Sequence, residues 1–373
     1  MLRSALFLLL APLALGHTSL TTLFVDEVNQ GDGTCIRMDH SGNTVNFPIE
    51  PVSSKEMACG RNGETGVARV CSTKANSLLT FEFREYADNT KPGSIDISHK
   101  GPCAVYMKKV DDATADDNAA GDGWFKIWHT GYDEQAEKWC TEKLIDNNGL
   151  LSVRIPAEIE DGYYLVRTEV LALHNAAFAN PVDPQFFVNC AQIFVEDGGH
   201  AKPETVDIGE GFYNLDSPGL QYNIYAQPLQ LPYPIPGPHV WEGASVTSRS
   251  LKGTEKKDVT VQSKGLKPAG CILQRDNWCG FEVPAYSDEN GCWASSKKCW
   301  DQSDVCYKTA PPTGITTCDI WMHKCNGIDD ACNSGDFHGP PSQGEVLTPK
   351  PMKLAGSTQI FKRSTKKYKT WSA

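Results

Sequence analysis

The chain has 373 residues, and its 35 Lys and Arg against 46 Asp and Glu give a formal net charge of −11. That balance excludes a general nucleic-acid binder and suits a protein whose target is uncharged. Past the N-terminus no segment is long and apolar enough to span a bilayer, which takes roughly 20 apolar residues, so no membrane is expected as a partner.

Met1, Leu2 and Arg3 make a short positive start, and Ala5 to Leu15 is an apolar run broken only by Pro12. Ala14 and Gly16 put small residues where a signal peptidase reads. Residues 1–16 are therefore predicted to be a signal peptide, with a secreted, extracellular mature chain beginning at His17. Removing one Arg takes the charge to 34 minus 46, or −12. Fourteen cysteines in an exported chain read as disulfides. Six are early (Cys35, Cys59, Cys71, Cys103, Cys140 and Cys190) and eight are late (Cys271, Cys279, Cys292, Cys299, Cys306, Cys318, Cys325 and Cys332). Both counts are even, so each group can close on itself, which predicts two folding units. No Asn-x-Ser/Thr acceptor is present, so N-glycans are not expected.

Residues 17–230 read as an all-β domain. Leu79, Phe81 and Phe83 alternate with polar neighbours, as do Leu151, Val153 and Ile155, then Tyr164, Val166 and Val170, then Phe187, Ala191, Ile193 and Val195. Short period-two runs separated by turns such as Asn147-Asn148-Gly149 and Glu160-Asp161-Gly162 predict a β-sandwich. Residues 231–265 open with four prolines in the eight residues from Leu231 to Pro238, a stiff extended segment followed by a polar stretch, and read as a linker.

Residues 266–335 read as a Cys-rich module. Cys292, Cys299 and Cys306 are seven apart, and so are Cys318, Cys325 and Cys332. Seven residues are about two helical turns, so each triplet lines one helix face. Two antiparallel helices then give the rungs Cys292–Cys332, Cys299–Cys325 and Cys306–Cys318, leaving Cys271–Cys279. A zinc site is disfavoured by the export signal and the lack of any Cys-x-x-Cys pair. Trp278, Trp293, Trp300 and Trp321 read as core between the rungs, with a carbohydrate platform as the competing reading. Residues 336–373, whose end is basic (Lys350, Lys353, Lys362, Arg363, Lys366, Lys367, Lys369), read as a disordered tail.

The chemistry starts at His17. An N-terminal histidine offers its α-amine and its ring Nδ1 to one metal ion, and an opposing imidazole completes a planar three-nitrogen set that suits cupric ion. His99 is the candidate second ligand, in Ser94-Ile95-Asp96-Ile97-Ser98-His99-Lys100-Gly101-Pro102 just before the apolar strand Ala104–Met107. His40, His129, His200, His239, His323 and His338 have no such context and read as surface residues.

With Tyr106-Met107-Lys108, these residues resemble the fungal copper-dependent lytic polysaccharide monooxygenases of auxiliary activity family nine, once classed as glycoside hydrolase family sixty-one. Gly123-Trp124-Phe125-Lys126-Ile127 is similar to that family's Trp-Phe-Lys-Ile strand. Tyr163 through Leu171-Ala172-Leu173-His174 is similar to its strand ending in Ala-Leu-His. Gln185-Phe186-Phe187 with Cys190-Ala191-Gln192 is similar to its Gln-Phe-Tyr segment, and Tyr213 with Ser217-Pro218-Gly219 to its last loop. The likeness covers residues 17–230.

The resemblance implies an immunoglobulin-like β-sandwich with a Cys71–Cys190 bridge; the pairing of Cys35, Cys59, Cys103 and Cys140 stays open. It implies one copper held by His17 and His99. His174 and Gln185 would hydrogen-bond reduced oxygen species there, and Tyr213 would stack on sugar rings at a flat docking face. The family's axial tyrosine is replaced by Phe187, which keeps the ring and loses the hydroxyl. The implied activity is oxidative cleavage of β-1,4-glucan, most naturally cellulose, at carbon one or carbon four. It would be fed by an external reductant with dioxygen or hydrogen peroxide, on insoluble polysaccharide, by a monomer. The alternative is a secreted copper- or polysaccharide-binding protein with little catalysis.

Overall fold

The computed structural model describes residues 17–243 and 260–354. The expected signal peptide 1–16 and the last basic residues, 355–373, lie outside the described residues. In chain order the strands of the first unit are β1 (Ser19–Val25), β2 (Val28–Asn29), β3 (Ile36–Arg37), β4 (Cys71–Lys74), β5 (Leu78–Arg84), β6 (Cys103–Val110) and β7 (Gly121–Thr130). They continue as β8 (Tyr132–Asp133), β9 (Lys138–Trp139), β10 (Leu150–Arg154), β11 (Gly162–Asn175), β12 (Asp183–Glu196) and β13 (Val206–Ile208), with helix α1 (Cys140–Asp146) between β9 and β10.

Two sheets face each other. One runs β10-β5-β1-β2; the other runs β13-β7-β6-β11-β12-β3, with β4 added in parallel to β12. The alternating residues fill the space between: Leu79, Phe81 and Phe83 of β5 meet Val166 and Val170 of β11 and Ile193 of β12 in one buried cluster. This is the expected all-β sandwich.

The outer face of the larger sheet is buried too, under loops. Tyr106, Trp124, Leu165 and Phe194 form one cluster there, and Leu171, Leu173, Phe186 and Tyr213 another. Part of the cover is the proline-rich segment. Trp241 N donates to Lys126 O at 2.8 Å, Lys126 Nζ to Pro236 O at 2.8 Å, and Tyr233 OH to Gly219 O at 2.8 Å. Residues 231–243 are thus a strap along β7 rather than a free spacer. Its prolines donate nothing to a ladder, so it can lie only at an edge.

The early disulfides are Cys35–Cys71, Cys59–Cys190 and Cys103–Cys140. The expected Cys71–Cys190 bridge is not formed, and strand parity says why. Cys71 sits opposite Ile193, whose side chain points into the sandwich. Cys190 is three residues from Ile193 and points to the outer face, where Cys59 lies. Successive side chains of a strand alternate faces, so Cys71 and Cys190 lie on opposite sides of one sheet.

In the second unit, β14 (Cys271–Arg275) pairs with β15 (Trp278–Phe281), closed by Cys271–Cys279. Helices α2 (Glu289–Lys308) and α3 (Thr316–Ser334) carry the rungs Cys292–Cys332, Cys299–Cys325 and Cys306–Cys318, as the seven-residue step predicts. Asp288 caps α2 by accepting from Gly291 N, and Gly335 ends α3 with φ 79°. Trp278 and Trp321 are buried among the cystines, while Trp300 is half-buried with Nε1 donating to Asp329 Oδ2 and Trp293 is exposed. Residues 336–354 are ordered, contrary to the expected free tail. Leu347 N donates to Ile272 O, Asn29 N to Met352 O and Leu354 N to Glu27 O. Counting charges missed that the edge strand β2 leaves backbone groups for an extended segment to satisfy.

Candidate metal centre

His17 precedes β1 at the sandwich edge. His99 closes a turn in which Ser98 N donates to Asp96 Oδ1 at 2.8 Å and His99 N to Asp96 O at 3.0 Å. Ser98 Oγ lies 3.2 Å from His99 Nδ1, which leaves Nε2 as the free ring nitrogen. The turn is laced to the end of β11 by Leu173 N to Lys100 O and Leu171 N to Pro102 O. Gly101 is required there: a Cβ would lie 1.9 Å from Leu171 O.

His174 comes from β11 and Gln185 and Phe187 from β12. The two strands pair in register through Ala172↔Gln185, then resume one residue out of step at Asn175↔Asp183. This bulge re-aims His174 toward the site. The ring centroids of His17 and His99 are 5.8 Å apart at 78°, and those of His99 and His174 are 4.3 Å apart. Phe187 is buried against both ligand candidates, 5.6 Å from the His17 ring and 6.0 Å from that of His99. Phe47, which no sequence motif marks, packs at right angles to His17 at 5.1 Å.

Burial, reinforced by His174 and His17, pulls the His99 pKa down to about 4. Burial also lowers His17 and His174, against the opposing pull of Asp183 on both. Burial thus favours the uncharged form of each ring, the form that ligates a metal. The donor set fits copper because its valences are unmet: His17 Nδ1, His99 Nε2, His174 Nδ1 and Gln185 Oε1 are buried without a hydrogen-bond partner. Such orphans are rare without a reason. Among the described residues no three His, Cys, Asp or Glu side chains converge as a metal set.

Tyr213 is not at a docking face. It is 6% exposed, its hydroxyl donates to Glu169 Oε2 and lies 3.4 Å from Tyr106 OH, and its ring packs on Phe186 at 4.6 Å. The buried Arg167–Glu169 ion pair (2.6 Å) under the loop layer recruits it. Exposed aromatics of the first unit include Phe47 (42%), beside His17, and Phe178 (64%) and Tyr225 (55%), whose ring centroids are 5.7 Å apart. The one signal in the sequence that points to Phe178 is its place four residues past His174. A cavity of about 630 Å³ opens beside Gln185, walled by Pro48, Pro51, Pro181, Asp183 and an edge of Tyr213. His40, His200, His239, His323 and His338 are exposed as expected. His129 is not: its Nδ1 is 3.3 Å from Lys126 Nζ, and burial beside that lysine lowers its pKa to about 3.

Residues 17–233, more than half of the chain, match the model of Auxiliary Activity family 9 (formerly GH61). The full chain is 77% identical, over 373 residues and all of both proteins, to the AA9 family lytic polysaccharide monooxygenase C of Aspergillus tamarii. It is 54% identical over 354 residues to the AA9 family lytic polysaccharide monooxygenase A of Emericella nidulans, covering 94% of this chain and 61% of that one. Among solved structures, CvAA9A superposes with a TM-score of 0.53 at 31% identity, over 60% of this chain and 98% of its own.

Proposed function

The chain belongs to Auxiliary Activity family 9, the copper-dependent lytic polysaccharide monooxygenases, and from that premise we propose that it is a secreted monomer that cleaves β-1,4-linked glucan, cellulose or a related wall polysaccharide. The observation that carries the site assignment is the convergence of His17 and His99, each with a buried, unpartnered ring nitrogen, above Phe187. His17, through its ring and its freed amine, and His99 would hold the ion. Bound copper, reduced by an external electron donor, supplies the oxidising chemistry on dioxygen or hydrogen peroxide.

The remaining work belongs to the chain. His174 has a buried, unpartnered ring Nδ1 to turn toward an oxygen co-substrate. Gln185 Nε2 is held by Asp183, so its Oε1 is the face turned to the site and accepts a proton-bearing oxygen. Phe187 would close one side of the site with an apolar ring and has no oxygen to offer a metal. Phe178 and Tyr225 offer exposed ring faces on which pyranose rings stack, which suits an uncharged polymer.

The test is mass spectrometry of products from the mature chain beginning at His17, loaded with copper and supplied with a reductant. Cellulose, mannan, xyloglucan and xylan are run in parallel. Aldonic acids report oxidation at carbon one and ketosugars at carbon four. Oxidised products from mannan alone, or none from any glucan, would sink the substrate assignment.

A further inference from the structure

One carboxylate oxygen sits where β11 and β12 re-pair beyond the bulge. Asp183 Oδ2 accepts from Gln185 Nε2 at 3.1 Å and from Asn175 Nδ2 at 3.1 Å. Asn175 is the residue after His174, and Gln185 is two residues after Asp183, so the oxygen joins the two elements that carry His174 and Gln185. The bulge between Ala172 and Asn175 interrupts the ladder at that point. A bulged strand end loses ladder bonds and gains freedom, and the side-chain bonds to Asp183 replace them.

We propose that Asp183 is a positioning residue of the metal centre, one that sets which end of the Gln185 amide faces the oxygen co-substrate and fixes the His174 end of β11. A carboxylate only accepts, so the amide must turn its NH₂ to Asp183 and its carbonyl inward. The buried Gln185 Oε1, left on the side of the His99 ring, is the product of that choice. With Asp183 absent, the amide can rotate by half a turn and present donors where it now presents an acceptor. The tilted ring contact of His99 with His174, 4.3 Å between centroids, would also lose its tether through Asn175. The proposal rests on the reading of His174 and Gln185 as the groups that touch the co-substrate.

The experiment compares Asp183→Ala, Asp183→Asn and Asn175→Ala in the mature chain. The copper-free protein is examined by NMR of the Gln185 side-chain amide, and the copper-loaded protein by cupric EPR and by steady-state cleavage of a soluble cello-oligosaccharide with a reductant and hydrogen peroxide. Asp183→Ala is expected to keep copper affinity and KM, to broaden or move the Gln185 amide signals, to shift the EPR spectrum, and to lower kcat about tenfold. Asp183→Asn keeps one acceptor oxygen and should recover kcat to within about threefold of the parent. Asn175→Ala, which leaves the Gln185 bond intact, should keep the amide signal. A parent-like kcat and amide signal in Asp183→Ala overturn the proposal. So does a kcat loss matched by a collapse of thermal stability that Asp183→Asn does not repair. If the parent itself yields no oxidised sugar, the functional reading fails, and an unmoved Gln185 signal in copper-free Asp183→Ala separately overturns the clamp.

Discussion

Gly101 is the residue where the site tolerates least. The His99 turn lies so close to β11 that an added methyl meets the Leu171 carbonyl at 1.9 Å, and a backbone carbonyl cannot step aside as a flexible side chain would. Gly101→Ala should therefore cost about 1–3 kcal/mol of stability and move His99 away from His17. Thermal unfolding checks the first part, and a weakened cupric affinity by calorimetry the second. That His17, His99, His174, Gln185 and Phe187 come together was legible because His17 opens the expected mature chain and the others sit in short motifs of a strand or turn. Tyr213 was misplaced because its burial is decided by Glu169, 44 residues away, across a layer that motifs do not describe. Phe47, Phe178 and Tyr225 lie in loops, where no period marks an aromatic as exposed.

At the scale of elements, the period-two pattern predicted the strands well and their second face poorly. In β11, Tyr164, Val166 and Val170 fill the sandwich, while Arg167 and Glu169 lie on the other face, where a period-two pattern alone does not tell burial from exposure. They are instead fully buried, Arg167 Nε donating to Met57 O at 2.8 Å and Nη1 pairing with Glu169. Glu169→Gln leaves the guanidinium uncompensated and should cost about 3–5 kcal/mol, as breaking a buried pair does; chemical denaturation of parent and variant would show it. The face rule also governs the cystines. Peptide mapping without reduction should recover Cys35–Cys71 and Cys59–Cys190, and a peptide joining Cys71 to Cys190 would refute the assignment of these two cysteines to opposite faces. The helical ladder was fully legible, since a seven-residue step in two runs admits one antiparallel pairing. The first unit's cystines carry no such step, so spacing could not assign them.

For the whole molecule, two even sets of cysteines correctly implied separate covalent units but said nothing about contact between them. Val70 N donates to Gly265 O, Ala68 N to Asn277 Oδ1, and Gly33 lies against Pro311 and Asp276. Asp276 is buried at this junction, and burial raises its pKa from 3.8 to about 6 despite the pull of His40, Arg275 and Arg69. Because the folded value lies above the ordinary one, the proton stabilises the folded state fully below about pH 4. That contribution is lost as the pH rises through 6. Asp276→Asn mimics the protonated form and suits the residue's φ of 45°. It should match the parent near pH 4 and exceed it above pH 6 by on the order of 1–3 kcal/mol. Melting curves across that range decide the matter, and an equal offset at every pH would contradict it.

Every cystine lies either within Cys35–Cys190 or within Cys271–Cys332, and none crosses from one set to the other. A single peptide cut between Gly243 and Thr260 would therefore turn one polypeptide into two with no covalent tie, even under oxidising conditions. The hydrogen bonds at Val70, Asn277, Asn29 and Glu27 would become the contacts of a bimolecular complex. Their combined strength, hidden inside an intact chain, would then be open to direct measurement as a dissociation constant between the two fragments.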